Sequence, residues 1–509
     1  MTPGVSTRAP LRGSKWNLYQ AGVRVPLIVR WPGVVSAADA SCGRVCTVPL
    51  AAVLVAGLYN AAAANPTPAV PMPDPRPITT APHGHVLTNS GAWSPDSRWI
   101  VYDVRSTPDG STFDGTRIER VDVETGRVEV LYESRDGACC GVVTASPRDD
   151  RVAFILGPER PTADWSYGAA RRQGVVVHAA RPGLAEPLDA RDLVPPFTAG
   201  ALRGGSHVHV FSPDAAAVSF TYEDAILEAV AVAGTPAERN LRAVGVSVCG
   251  RSARVPASHP RNHDGSAFTV LVTRLTDAPR PGSDEIARAF EEAWIGTEGY
   301  MRADGTRQRR ALAFQGTVIT DDGATISEVF VADLPDDLAD LAVAGDAPLA
   351  GTVTTRPAPP RGVRQRRLTF TAGRRYPGLQ GPRHWLRSSP DGTRIACLMQ
   401  DDAGVVQLVT VDPAGGAPRQ LTRGAHGITS AFTWSPDGMR IACVIDGSVC
   451  VLDAASGEAL RLTEPVRDAS GPRPEACVFS PDGCRIAYVR HVAAGATTCN
   501  QIFTVDVPR

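Results

Sequence analysis

The chain has 509 residues, 43% hydrophobic and 21% charged, with 52 Lys and Arg against 53 Asp and Glu and a formal net charge of −1. That composition describes a globular chain with a large core, and its near-neutrality excludes a general nucleic-acid or anionic-membrane surface as the basis of function. Its 48 Gly and 43 Pro fit a turn-rich, all-β protein. Of 11 Cys, Cys397, Cys443 and Cys477 fall inside strand patterns and read as small core residues, while the vicinal Cys139-Cys140 has no CxxC pair beside it.

At the N-terminus, Leu11-Arg12-Gly13-Ser14-Lys15-Trp16 and the following run from Leu18 to Gly33 resemble a segment of type I sulfatases. In that family the lysine at the position of Lys15 lies in the active site and contacts the sulfate. The family's nucleophile motif is absent from this chain, as are its metal-binding aspartates, so no sulfatase activity is expected. Residues 1–44 then read as a fused remnant or as sequence ahead of a later start codon, not as an independent domain.

The apolar run Thr47–Ala64, preceded by Arg44 and ending in small residues, resembles a secretory signal peptide that starts too far into the chain. A start near Val34 or Val35 removes the discrepancy. The alternatives are a marginally short membrane anchor and a low-complexity linker. Export to the periplasm follows if the run is a signal, and a cytoplasmic location otherwise; no stable membrane insertion is expected after processing. Asn65–Pro82 is Pro-rich and reads as an extended tether.

From residue 83 onward one unit recurs, clearest at Ala431–Glu464. A short strand Phe432–Ser435 ends in the turn Pro436-Asp437-Gly438, where Pro presets φ, Asp bonds its own backbone and Gly accepts φ > 0. Arg440–Ile445 is apolar enough for a strand buried on both faces, and Val449–Leu452 and Leu460–Thr463 complete four strands joined by tight turns. Such a sheet cannot bury two apolar faces alone, so its copies must stack into a β-propeller.

The turn recurs at Ser94-Pro95-Asp96, Ser146-Pro147-Arg148, Ser212-Pro213-Asp214, Ser389-Pro390-Asp391, Ser435-Pro436-Asp437 and Ser480-Pro481-Asp482. Asn262-His263-Asp264-Gly265, followed by Ala267–Val272, fits as a degenerate seventh copy. Seven blades are therefore expected, and the long step from Asn262 to Ser389 must hold an insertion or a blade that has lost its motif. In that step Ser283 fits as an N-cap, with Ile286, Ala289, Phe290 and Ala293 on one face, which predicts a helix over 283–294. Strand-like alternation returns at Ala311–Val331, and Ala332–Ala350 reads as an acidic loop. Outer strands carry Leu-Thr at Arg367–Thr369, Gln420–Thr422 and Arg461–Thr463; Val86-Leu87-Thr88 matches them, so this N-terminal strand is expected to complete the last blade and remove the open edge.

Residues 83–509 resemble the YidR-like bacterial family with TolB-type, WD-like repeats. The resemblance is carried by His85–Asn89 with Trp93–Asp96, Arg203–Pro213, Pro281–Ile286, Pro359–Val363 and Arg383-His384-Trp385. It implies the propeller and transfers no reaction.

The histidines are the constellation with chemical potential. His207 and His384 stand five residues before the Ser of their turns, and His209 stands three before, as does His259 if Asn262 holds a Ser position. These positions lie on innermost strands, where a propeller brings equivalent residues together, and His426 would sit in the next blade's entry loop. His207, His209, His259, His384 and His426 are thus candidate ligands for a divalent metal, which could acidify a carbon-bound or water proton. In outline this resembles the metal-dependent oligogalacturonate lyases. No phosphate loop or nucleophile elbow is present.

Two readings follow: a monomeric, non-catalytic propeller that binds a protein, peptide or glycan at its channel mouth, or a metal-dependent lyase or hydrolase acting on a saccharide.

Overall fold

The computed structural model describes residues 72–382 and 385–508; Lys15, the signal-like run and His384 lie outside them. Among the described residues, seven four-stranded antiparallel sheets form the seven blades. Their innermost strands are Gly84–Val86, Cys140–Ala145, Gly204–Phe211, Arg288–Trp294, Arg387–Ser388, Thr433–Trp434 and Pro472–Phe479, in blades 1 to 7. No described helix is long and apolar enough to cross a membrane.

Seven separate apolar clusters glue the blades, one at each interface including the 7–1 closure. The strand Arg440–Ile445 shows why its sequence is apolar throughout. Ile441 and Cys443 enter the core shared with blade 5, whereas Ala442 and Val444 enter that shared with blade 7. Period-two alternation therefore divides one apolar run between two cores. Cys397, Cys443 and Cys477 are buried and free, as core residues.

The recurrent turn has a common wiring. Ser435 Oγ donates to Asp437 Oδ1 at 2.5 Å and accepts from the Arg440 amide at 2.9 Å, while Asp437 Oδ1 accepts from the Met439 amide at 2.9 Å. Ser480 and Asp482 repeat it at 2.5, 3.0 and 2.9 Å. In blade 2, where Arg148 replaces the Asp, Ser146 Oγ accepts the Arg148 and Asp149 amides, each at 3.3 Å.

Three expectations are corrected. The seventh blade is not at Asn262: Gly265–Leu271 is the outer strand of blade 3, and Asn262 is a loop anchor whose Nδ2 donates 3.0 Å to Asp192 Oδ1. Blade 4 comes from the long step instead. Its strands are Arg288–Trp294, Ala311–Ile319, Thr325–Asp333 and Arg364–Arg367, so the segment expected as a helix is an innermost strand. Stacking between neighbouring sheets overrides its helical periodicity, because Ala289 and Ala293 face different inter-blade cores. The α-helix is Ala225–Val232 in blade 3, capped by Asp224, which accepts from the Leu227 amide at 2.9 Å.

The third correction concerns closure. An N-terminal strand does complete blade 7, but it is Arg76–Pro77, paired with Thr504 and Phe503, from within the Pro-rich stretch. Val86 belongs to the inner strand of blade 1, with Leu87-Thr88 following it.

Candidate functional site

The two ends of the central channel differ in chemistry. At the end bearing the Ser-Pro-Asp turns, Trp93, Phe211, Trp294, Trp434 and Phe479 gather with the turn prolines around an apolar cavity of about 410 Å3. Three indoles lock blades together there. Trp93 Nε1 donates to Val478 O at 3.2 Å, Trp294 Nε1 to Val210 O at 3.0 Å and Trp434 Nε1 to Arg387 O at 3.0 Å, each crossing to the preceding blade in the ring.

At the opposite end a polar cavity of about 500 Å3 opens, lined by residues such as Asn89, His207, Arg288, Glu292, Trp385 and Glu475. Bulges in three successive inner strands shape its wall. The register slips between Gly141 and Thr144, between His207 and Val210, and between Phe290 and Ala293. At the same place in each bulge a non-glycine residue has positive φ: Val142 at 56°, Val208 at 58° and Glu291 at 53°. A β-branched residue there is strained by roughly 1–3 kcal/mol, a conformation that clusters at functional sites. Each bulge re-aims side chains towards the channel. In blade 2 the freed Val142 amide is taken up by buried Asp103 of blade 1, at 3.1 Å.

The floor of the polar mouth carries Glu292. It is 1% exposed, and neither carboxylate oxygen has a hydrogen-bond partner among the described residues. Burial pushes its pKa up to about 8; Ser219 and Arg387 favour the charged form without outweighing burial. Arg387 is itself drawn down to about 10 by burial, against the pull of Glu291 and Glu292. It donates to Asn89 O at 2.9 Å and Ser90 Oγ at 2.8 Å, tying blade 5 to blade 1 across the ring.

Of the histidines singled out by position, only His207 among the described residues lines this mouth. Its Nδ1 is 2.6 Å from Thr221 Oγ1, and burial, reinforced by Arg172 and Arg242, holds its pKa well below the ordinary value. His209 is fully buried, with Nε2 3.0 Å from Ser206 Oγ. His259 sits in the loop before the outer strand of blade 3, its Nδ1 accepting from the Arg261 amide at 3.0 Å. His426 is largely exposed and lies 3.7 Å from Asp446. The count-back misplaces His259 because Asn262 is no blade turn. Among the described residues no group of three or more His, Cys, Asp or Glu is arranged to hold a metal ion.

A family profile described as a protein of unknown function, DUF3748, matches residues 139–263, which cover blade 2 and the first three strands of blade 3. The uncharacterized protein YidR of Escherichia coli (strain K12) is 48% identical over 413 residues, covering 81% of this chain and 94% of that protein. The chain belongs to the YidR family. Solved propellers resemble this YidR-family chain more distantly. An oligogalacturonate lyase in complex with manganese is 12% identical, covering 86% of this chain and 95% of that one, with a TM-score of 0.44. A putative TolB from Agrobacterium tumefaciens is 16% identical, covering 77% and 98%, with a TM-score of 0.35.

Within the profiled segment of this YidR-family chain, Asp189 Oδ1 accepts from the Gly174 amide at 3.0 Å and from Ser206 Oγ at 3.1 Å, and Ser206 in turn meets His209. The serine stands between acid and imidazole, so this is not the order that activates a nucleophile, and all three are buried. It is a polar seam between blades 2 and 3. A Cβ on Gly174 would stand 2.4 Å from both Asp189 Oδ1 and His209 Nε2, so the seam admits only glycine there.

Sequence reasoning missed Glu292, Arg288 and Arg387. A signal was present: Ala289-Phe290 and Ala293-Trp294 parallel Ala431-Phe432-Thr433-Trp434, and the tryptophan before the turn marks an innermost strand.

Proposed function

We propose that this chain is a ligand-binding propeller that takes a short peptide or glycan segment in its polar channel mouth. The observation that carries this reading is the contrast between the two ends. One holds an apolar cavity of about 410 Å3 ringed by the indole locks and turn prolines, and the other a polar cavity of about 500 Å3 with a buried, unpartnered Glu292 in its lining. That volume lies in the range of small-ligand sites, and a few convergent polar groups in such a cavity are their usual mark. The test is a binding screen of the full chain against glycan and peptide panels, repeated with Ser111→Trp, which plugs the mouth from an exposed rim position. Ligands that bind wild type and not the plugged variant support the reading; ligands indifferent to the plug sink it.

A second reading is enzymatic, a saccharide lyase or hydrolase, and one observation favours it. Glu292, held protonated near neutral pH, and His207, held neutral, line the same cavity, which is the pairing that general acid–base chemistry uses. Its metal-dependent form is tested by the metal content of the full chain prepared without chelator. Near-stoichiometric metal that disappears in His207→Ala supports that form, and a metal-free protein with His207→Ala unchanged removes it.

A further inference from the structure

Four guanidinium groups line the polar mouth, and their compensation is unequal. Arg105 pairs with Asp103, Arg473 with Glu475 at 3.2 Å, and Arg242 with Glu223 through Nε at 2.8 Å. Arg288 has no ion pair among the described residues. Its guanidinium stands 4.4 Å over the Phe290 ring, an arrangement that orients the planar fork without neutralising it. Partial desolvation and the nearby Arg242 disfavour its charge and together outweigh the opposing pull of Glu223 and Glu291, so a ligand anion placed there relieves like-charge repulsion. Below it, Glu292 supplies a carboxyl group whose oxygens are unused by the described protein.

Building on the mouth-binding reading, we propose that the polar mouth is a carboxylate-recognition site: the Arg288 fork pairs with the ligand's carboxylate, and Glu292 on the floor hydrogen-bonds a ligand hydroxyl or amide. A planar, bidentate guanidinium–carboxylate pair is the strong form of this contact. The carboxylate is the shared chemistry of a uronic acid and of a peptide C-terminus, and the test separates these sources.

Full-length chain is titrated calorimetrically with two matched pairs, glucuronate against glucose and alanylalanine against its C-terminal amide. The expected result is that the acid of one pair binds at least about tenfold tighter than its neutral partner, as one charge-assisted pair supports. The pair that shows the difference names the source. Arg288→Ala removes the difference and Arg288→Lys restores part of it; Arg288 is exposed, so both variants keep the wild-type circular dichroism. Glu292→Leu weakens acid and neutral members alike. Equal affinity for acid and neutral members, or a preference that survives Arg288→Ala, overturns the carboxylate assignment. If those ligands are still excluded by Ser111→Trp, the mouth-binding reading stands. No binding of either acid at millimolar concentration also overturns the assignment, whereas the mouth reading stands or falls on the panels.

Discussion

The indole of Trp434 reaches from blade 6 to blade 5, its Nε1 donating to the carbonyl of Arg387 at 3.0 Å, and the same side chain carries the Arg394 guanidinium 4.7 Å from its ring centroid. One residue thus fixes the spacing of two blades beside the residue that links blade 5 to blade 1. Trp434→Phe keeps the ring and loses the bond, at a cost of about 1–3 kcal/mol because the partner carbonyl is left unsatisfied. Trp434→Ala costs about 3–5 kcal/mol through the cavity it leaves. Urea denaturation read by circular dichroism checks both, and a Trp434→Phe protein as stable as wild type would contradict the role of the N–H.

Arg203 is 1% exposed and pairs with the helix-capping Asp224 through Nε at 2.8 Å, while its other nitrogens donate to the carbonyls of Thr352 and Thr355. It fastens the long connection of blade 4 to blade 3. Arg203→Met leaves Asp224 buried without its counter-charge and is expected to destabilise by about 3–5 kcal/mol. Arg203→Met with Asp224→Asn recovers part of that loss, although the cap weakens. Chemical denaturation of the single and double variants provides the coupling energy.

Glu292 imposes a pH dependence of known sign. Its pKa rises from an ordinary 4.5 to about 8 on folding, so between these values the folded chain holds a proton that the unfolded chain has released. Its contribution to stability is fully present below about 4.5 and is lost as pH rises through about 8. Glu292→Gln is therefore expected to gain on wild type by a few kcal/mol at most between pH 5 and 8, about 1.4 kcal/mol per unit being the ceiling. His209 works in the opposite sense: burial draws it from 6.5 to about 3, so folding weakens as pH falls through that window. Unfolding curves at several pH values for wild type, Glu292→Gln and His209→Gln separate the two.

Closure of the ring depends on a few residues. Ile78 N donates to Ile502 O at 2.8 Å, and Thr79 Oγ1 accepts from the Ile502 amide at 2.9 Å and donates to Gln501 Oε1 at 2.7 Å. A chain beginning at Thr80 loses this strand and exposes the edge of Thr497–Asp506. Lower cooperativity and concentration-dependent association are expected relative to a chain beginning at Met72. Light scattering and thermal melts check both, and identical behaviour of the two chains would show that the strand is dispensable.

The sequence by itself determined the blade, its repetition and the closed ring. These follow from local chemistry: the Ser-Pro-Asp wiring is made within six residues, and a strand apolar on both faces demands a neighbour on each side. Blade number was legible, but the place of the seventh blade was not, because the helical spacing of Ile286, Ala289, Phe290 and Ala293 is also compatible with a bulged strand. Only the stacking of blades 3 and 5 against it decides between them. The site was legible least. His207 could be placed by counting from its turn, but His209, two residues away, faces the polar seam between blades 2 and 3. Which side chain enters the channel is set by the bulges at Val142, Val208 and Glu291, and a bulge is a relation between paired strands, not a property of either alone. The unpartnered oxygens of Glu292 and the lack of an ion pair at Arg288 among the described residues depend in the same way on what distant segments bring beside them, so the tertiary structure alone decided where the candidate site lies.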